Sequence, residues 1–324
     1  MTQPPANTYS LLADIGGTNT RVALARGGDL LPDTIRRFRN RDYPGLETVL
    51  REYLDQEGNP DCAGACVAAA GPVRDGVAEL TNLNWRITPE TLARAAKAET
   101  VAILNDLQAQ GHALGHLNGD SLRTVISGQP AAADAAMLVI GIGTGFNCAP
   151  VYQTNAGRLV PPAEAGHANV PIRTADELAL LQFVETAHGF PAIEDVLSGR
   201  GLERVHLWLS TRAGTPRKKS AADIMAAADA GDALAHETLR FFIRTLGTVA
   251  GNLALIHLPF GGIYLVGGVA RATAPWLEQF DFERAMTDKG RFAGFMQNFS
   301  VTVIEDDYAA LTGCAHHLAH ILAI

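Results

Sequence analysis

Hydrophobic and polar positions along this chain follow the strand period in some stretches and the helix period in others. Three apolar runs end in a glycine-rich turn: Leu11-Leu12-Ala13-Asp14-Ile15 before Gly16-Gly17-Thr18-Asn19, Met137 to Ile142 before Gly143-Thr144-Gly145, and Ile263-Tyr264-Leu265-Val266 before Gly267-Gly268. A second β-prone run follows the first two at once, Arg21-Val22-Ala23-Leu24 and 146–152, so each reads as a β-hairpin. The third reads as a strand entering a helix. Short apolar runs at 63–70, 101–104 and 301–305, bounded by turn or charged residues, predict further strands. Apolar residues at helical spacing predict helices over 43–55, 88–97, 107–116, 174–188, 232–256 and 309–324, the last placed to pack back on a domain. Two similar strand, Gly-Thr turn, strand units predict two related α/β domains facing each other across a cleft.

Composition narrows this picture. At 324 residues and 47% hydrophobic the chain has enough apolar surface for two cores. The 32 glycines and 16 prolines are scattered, which excludes collagen-like and disordered classes. No apolar run is expected to reach the roughly 18 residues of a membrane span, and 1–10 has neither a basic leader nor an apolar signal core. A cytoplasmic protein without a membrane partner is expected. A net charge of −8 argues against a nucleic-acid partner. The four lysines, 97, 218, 219 and 289, do not follow a glycine-rich loop in the Walker order, so any phosphate must be held otherwise. Cys62, Cys66, Cys148 and Cys314 lack C-x-x-C spacing and read as reduced, buried thiols.

Several motifs carry chemistry. Gly16-Gly17-Thr18 and Gly143-Thr144-Gly145 aim backbone N–H groups into one space, because glycine permits left-handed φ and removes the Cβ that would block an anion; the alternative is a pair of ordinary hairpin turns. Asp14, on the strand before the first turn, has the oxygen chemistry to hold Mg²⁺ through water. Asn105-Asp106 ends a strand and opens a helix; Asn105 is a candidate cap and Asp106 a candidate general base, against the plain reading of both as an N-cap. Glu164-Ala165-Gly166-His167 has E-x-x-H spacing, but flanking prolines and the central glycine predict a loop, where a carboxylate and an imidazole hold adjacent hydroxyls. Glu194 is a candidate second carboxylate. His112/His116 and His316/His320 have i,i+4 spacing without a third ligand nearby and read as helix-surface or partly buried histidines. The basic segment 210–220 reads as a solvated loop.

Taken in order, Asp14-Ile15-Gly16-Gly17-Thr18-Asn19, Ala70-Gly71-Pro72, Thr81-Asn82-Leu83-Asn84-Trp85, Leu104-Asn105-Asp106, Gly143-Thr144-Gly145, Glu164-Ala165-Gly166-His167, Glu194-Asp195-Val196-Leu197-Ser198-Gly199 and Gly267-Gly268 resemble the bacterial glucokinases from about residue 10 to the C-terminus. The resemblance implies two ribonuclease-H-like, actin/hexokinase-type domains: 1–113 with 307–324, and 114–306. It implies ATP-dependent phosphorylation of the glucose 6-hydroxyl by a homodimer, with ATP and Mg²⁺ as cofactors. It makes Asp106 the base, gives sugar hydroxyls to Asn82, Asn105, Asp106, Glu164, His167 and Glu194, phosphates to Asp14, Gly16, Gly17, Thr18, Asn19, Gly143, Thr144 and Gly145, and the adenosine side to Gly267 and Gly268. The chain lacks the paired-cysteine zinc motif of repressor/ORF/kinase-group sugar kinases. It departs from the family at Phe146-Asn147, where Leu-Gly is usual, which bears on the shape of the second phosphate turn. Rival readings are a kinase for another hexose or an N-acyl hexosamine, or a non-catalytic sugar sensor.

Overall fold

The structure, a computed structural model, describes residues 8–80 and 83–323. The chain divides into two compact units, Met1–Asn118 with Ala156–Val160 and Asp306–Ile324, and Gly119–Asn155 with Pro161–Glu305.

In the first unit the hairpin β1 (Tyr9–Ile15) and β2 (Asn19–Arg26) forms as the run, turn, run pattern dictates, with Asp14 opposite Arg21 across the ladder. β3 (Asp29–Leu30) and β4 (Arg36–Arg39) pair with β2. After helix α1 (Leu46–Gln56), β5 (Cys62–Ala69) adds in parallel to β1. A small antiparallel sheet follows, β6 (Val73–Arg74), β7 (Val77–Leu80) and β8 (Trp85–Ile87). Helix α2 (Pro89–Ala96) leads to β9 (Thr100–Asn105), parallel to β5, and then to α3 (Asp106–Ala113). Strand alternation sorts the side chains into two layers. Leu11, Ala13 and Ile15 pack with α1 and α2 on one face. Leu12, Ala23, Cys66 and Ala68 meet Ala109 of α3 and the C-terminal helix (Ala309–Leu322) on the other. Small residues on this second face let the helices come close: a Cβ at Gly313 would collide with the Ala109 carbonyl oxygen.

The second unit repeats the scheme. β10 (Leu122–Ile126) precedes the hairpin of β11 (Met137–Ile142) and β12 (Phe146–Thr154). Helices α4 (Ala175–His188), α5 (Ile193–Val196), α6 (Gly199–Arg212), α7 (Ala221–Asp229) and α8 (Ala233–His257) follow. β13 (Ile263–Val266) enters α9 (Gly268–Thr273), then come α10 (Phe282–Thr287) and β14 (Val301–Ile304). β11 is antiparallel to β12 and parallel to β13, which is parallel to β14. An antiparallel hairpin followed by two parallel strands is thus the frame of both units.

Several expectations need correction. The first helix starts at Leu46, not 43, because Gly45 is fully extended (φ −175°). Helix α3 ends at Ala113, not 116, since Leu114 is extended and Gly115 has φ +82°. Residues 210–212 of the expected basic loop are the last turn of α6, and buried Ser210 Oγ accepts from Arg217 N at 3.0 Å, folding the loop back on the helix. The E-x-x-H segment holds a 3-10 turn, Ala165–His167. Helix α8 has a stretch apolar enough to cross a membrane (mean hydropathy 1.3), against the expectation that none exists. Its Leu239, Phe242, Ile243, Leu246 and Val249 are all in the core of the second unit, which accounts for that apolarity. The four cysteines are buried and free, as expected, and burial pushes the Cys62 and Cys148 thiols up to about 11.

Candidate active site

Candidate residues of the first unit gather at one edge of its sheet, where the carboxyl ends of the parallel strands β1, β5 and β9 stand side by side. Ala70 N donates to Ile15 O at 2.9 Å, and Asn105 Nδ2 to Gly71 O at 3.0 Å, so the first glycine turn, Ala70-Gly71 and Asn105-Asp106 form one rim. The turn closes through Gly16 N to Asn19 O at 3.0 Å. Asn40 pins it from below: its Nδ2 donates to Gly16 O at 2.7 Å, its N to Thr18 O at 3.0 Å, and its Oδ1 accepts from Thr20 Oγ1 at 2.8 Å. Nothing in the surrounding run Arg39-Asn40-Arg41-Asp42 marks Asn40 for this role, and it was missed from sequence.

Gly16, Gly17, Gly143 and Gly145 do not adopt positive φ, so left-handed backbone is not why glycine stands there. Only the missing Cβ remains as a reason. At Gly17, Gly143 and Gly268 a Cβ would meet nothing within 4 Å, leaving open space in front of the backbone.

Asn105 caps α3: its Oδ1 accepts from Leu107 N at 3.0 Å, while its own N donates to Gln108 Oε1 at 3.0 Å. Asp106 Oδ1 accepts from the same Leu107 N at 2.9 Å. The two acceptors on one donor mean that the helix start does not depend on Asp106. The Asn105 side-chain oxygen also accepts from the Gln108 backbone in the capping box, so beyond these bonds Asn105 keeps one amide hydrogen. Asn82 lies outside the described residues.

Asp14 pairs with Arg21 across the hairpin, Nη1 to Oδ2 at 3.1 Å. Burial pushes its carboxyl up from the ordinary value while the guanidinium pulls it down. Among the described residues no three His, Cys, Asp or Glu side chains converge to hold a metal ion.

In the second unit the turn between β11 and β12 closes through Gly143 N to Gly145 O at 2.9 Å, and Gly199 N donates to Gly143 O at 2.9 Å. This brings the N-terminus of the 14-residue α6, capped by buried Ser198, against the turn. Half-buried glycine backbone around exposed Thr144, beside a helix N-terminus, is chemistry suited to an anion. At Gly267, φ is +103° and a Cβ would collide with the Ile142 carbonyl oxygen, so β13 and α9 close on the end of β11.

Glu194, on α5, is half-buried; its Oε2 accepts from Phe146 N at 3.1 Å and its Oε1 is 3.6 Å from Arg200. It occupies the space a Cβ at Gly145 would fill. Gly145→Ala is therefore expected to destabilise the protein by about 1–3 kcal/mol through overpacking, read as a lowered thermal midpoint; an unchanged midpoint would show that Glu194 swings away freely. Glu164 and His167 are exposed, 4.0 Å apart, at the 3-10 turn. Asn147 bonds to the backbone on both sides of Glu164. Sequence reasoning noted Asn147 only as a departure and did not find this, nor the Arg200 partner of Glu194.

The paired histidines come together within the first unit: His112 of α3 lies 4.3 Å from His317 and His116 stacks at 3.5 Å on His316, ring to ring.

A family model described as Glucokinase matches residues 11–321. The chain is 34% identical to a glucokinase of Chromobacterium violaceum over 97% of this chain and 90% of that one, and 33% identical to a glucokinase of Saccharophagus degradans over 94% and 96%. Among solved structures it is similar to a glucokinase from an Antarctic psychrotroph (TM-score 0.85, 29% identity, covering 96% of this chain and 98% of that one). In fold it also matches a Balamuthia mandrillaris glucokinase in complex with glucose (TM-score 0.81, 23% identity, covering 96% and 93%).

Proposed function

Because the chain belongs to the glucokinase family and is an ATP-dependent glucose kinase, we propose that Asp106 is the general base for transfer of the γ-phosphoryl group to the sugar 6-hydroxyl. The observation that carries this assignment is the double cap of α3. Asn105 satisfies the helix start, so the Asp106 carboxylate stands at the ligand-binding edge of the sheet without being needed to begin the helix.

Asp106 takes the hydroxyl proton as that oxygen attacks the γ-phosphorus in line and the ADP oxygen leaves. Exposed Glu164 and His167, with the second oxygen of Glu194 and the spare amide hydrogen of Asn105, hold sugar hydroxyls. Asn82 belongs with them by the family motif. The backbone of Gly16-Gly17-Thr18-Asn19 and Gly143-Thr144-Gly145 cradles the phosphates, the second turn aided by the N-terminus of α6, while Gly267-Gly268 flanks the adenosine. Asp14 would hold a Mg²⁺ ion through water beside its Arg21 pair, and the ion would supply neutralisation of phosphate charge. A cytoplasmic homodimer serving glycolysis belongs to the same proposal, supported by the family.

The test is ADP release from Mg-ATP by the purified protein with glucose, mannose, fructose, N-acetylglucosamine or no sugar. Release with glucose far above the other arms is expected, because a site built to bond particular hydroxyls rejects analogues lacking them. Stronger release with another sugar would move the specificity, and calorimetric sugar binding without release would make the protein a sensor.

A further inference from the structure

The two residues that follow the second glycine turn each hold one of the carboxylates assigned to the sugar. Phe146 N donates to Glu194 Oε2 at 3.1 Å, and the next side chain, Asn147, reaches the Glu164 loop. All four positions of the Asn147 amide are used. Its Oδ1 accepts from Cys148 N at 2.8 Å and Ala165 N at 3.0 Å; its Nδ2 donates to Ala163 O and, at 3.4 Å, to Glu164 Oε2. The Ala163 carbonyl and the Ala165 amide bracket Glu164, so one side chain on β12 fixes the backbone on both sides of that carboxylate. The loop is seated on the strand at this point, since a Cβ at Gly166 would collide with the Phe146 carbonyl oxygen.

Other residues at 147 do not make all four of these bonds. Glycine or alanine offers no bond. Aspartate keeps both acceptances but exchanges two donors for a negative charge beside Glu164. Glutamine adds a methylene to a spacing already filled. The departure that the sequence reading tied to the second phosphate turn instead faces the sugar loop.

We propose that Asn147 is a positioning residue for glucose: it holds Glu164 where that carboxylate meets a sugar hydroxyl, and so sets sugar affinity while leaving nucleotide affinity alone. This rests on the reading of Glu164 as a sugar ligand. Steady-state kinetics of the full chain and of Asn147→Asp, Asn147→Ala, Glu164→Gln and the double variant Asn147→Ala/Glu164→Gln separate the two ideas. Asn147→Asp and Asn147→Ala are each expected to raise KM for glucose roughly tenfold with KM for ATP within about twofold. The double variant is expected to bind glucose no worse than Glu164→Gln alone, because Asn147 acts through that carboxylate. A glucose KM unchanged in both Asn147 variants while Glu164→Gln is impaired overturns the role of Asn147 and leaves Glu164 in place. An unchanged glucose KM in Glu164→Gln overturns the reading of Glu164 and the inference with it. Equal rises in both KM values, or additive losses in the double variant, reduce Asn147 to a structural residue. Should Asn147→Asp not fold, Asn147→Ser, which keeps one acceptor and no charge, is read by the same criteria.

Discussion

Asp106→Asn is expected to lower kcat for glucose by about 10²- to 10⁴-fold while the protein unfolds at nearly the wild-type temperature. The reason lies in the start of α3. Asparagine keeps an oxygen for the Leu107 amide that Asp106 Oδ1 now accepts at 2.9 Å, and Asn105 Oδ1 accepts from the same amide at 3.0 Å. What is lost is an acceptor basic enough to take a hydroxyl proton. Asp106→Ala should behave alike, since the Asn105 cap and the Gln108 bond to Asn105 N survive it. KM values for glucose and ATP should move far less than kcat, because the missing interaction is made chiefly in the transition state. Rates and thermal midpoints of both variants decide the matter: a variant that turns over normally removes Asp106 from the chemistry, and one that unfolds early makes it a helix cap.

The features visible in the sequence are those whose cause is local. Both hairpins were legible because a β-prone run, a Gly-Thr turn and a second β-prone run are adjacent in the chain, and the helix over 88–97 because its apolar residues recur at helical spacing; in the structure Thr88 and Thr91 cap it reciprocally. Helix α6 was not seen because it opens on Gly199-Arg200-Gly201, a poor helix-forming start that is stabilised from outside, by the bond of Gly199 N to Gly143 O. The sheet of β6, β7 and β8 was missed because strands of two to four residues carry too little periodicity to register.

Site residues divide by the same rule. Asp106 and the glycine turns announce themselves by where they stand in a strand, turn, helix pattern. Asn40 and Asn147 act on backbone 24 and 16 residues away, a distance in sequence over which no spacing rule operates. Arg21 is the exception that was within reach: a seven-residue separation across a predicted hairpin places it opposite Asp14.

Acid is expected to unfold the protein steeply below pH 6.5, through the histidines that α3 and the C-terminal helix bury between them. Burial, then the neighbouring His317, Arg158 and His320, lowers His112 from the ordinary 6.5 to about 3; burial, then His320, lowers His317 to about 4. Arg158 is held there by the carbonyls of Gly111, His112 and Leu114 at 3.2, 3.0 and 2.6 Å. Between these folded values and 6.5 the unfolded chain binds protons that the folded chain refuses. The stability associated with these groups is therefore complete above pH 6.5 and is lost as pH falls towards 4 and then 3. Each histidine removes up to roughly 1–1.5 kcal/mol per pH unit, so two units of acidification take roughly 4–6 kcal/mol from a total of about 5–15 kcal/mol. Helix α3 carries Asp106 at its first residue, and activity should disappear with the same transition. Urea unfolding of wild type and of His112→Leu between pH 7.5 and 4.5 measures it: the variant should lose the His112 share of the pH slope and keep that of His317 and of His116, His206, His257 and His316, which burial also lowers, whereas an equal slope in the two proteins would place the acid sensitivity elsewhere.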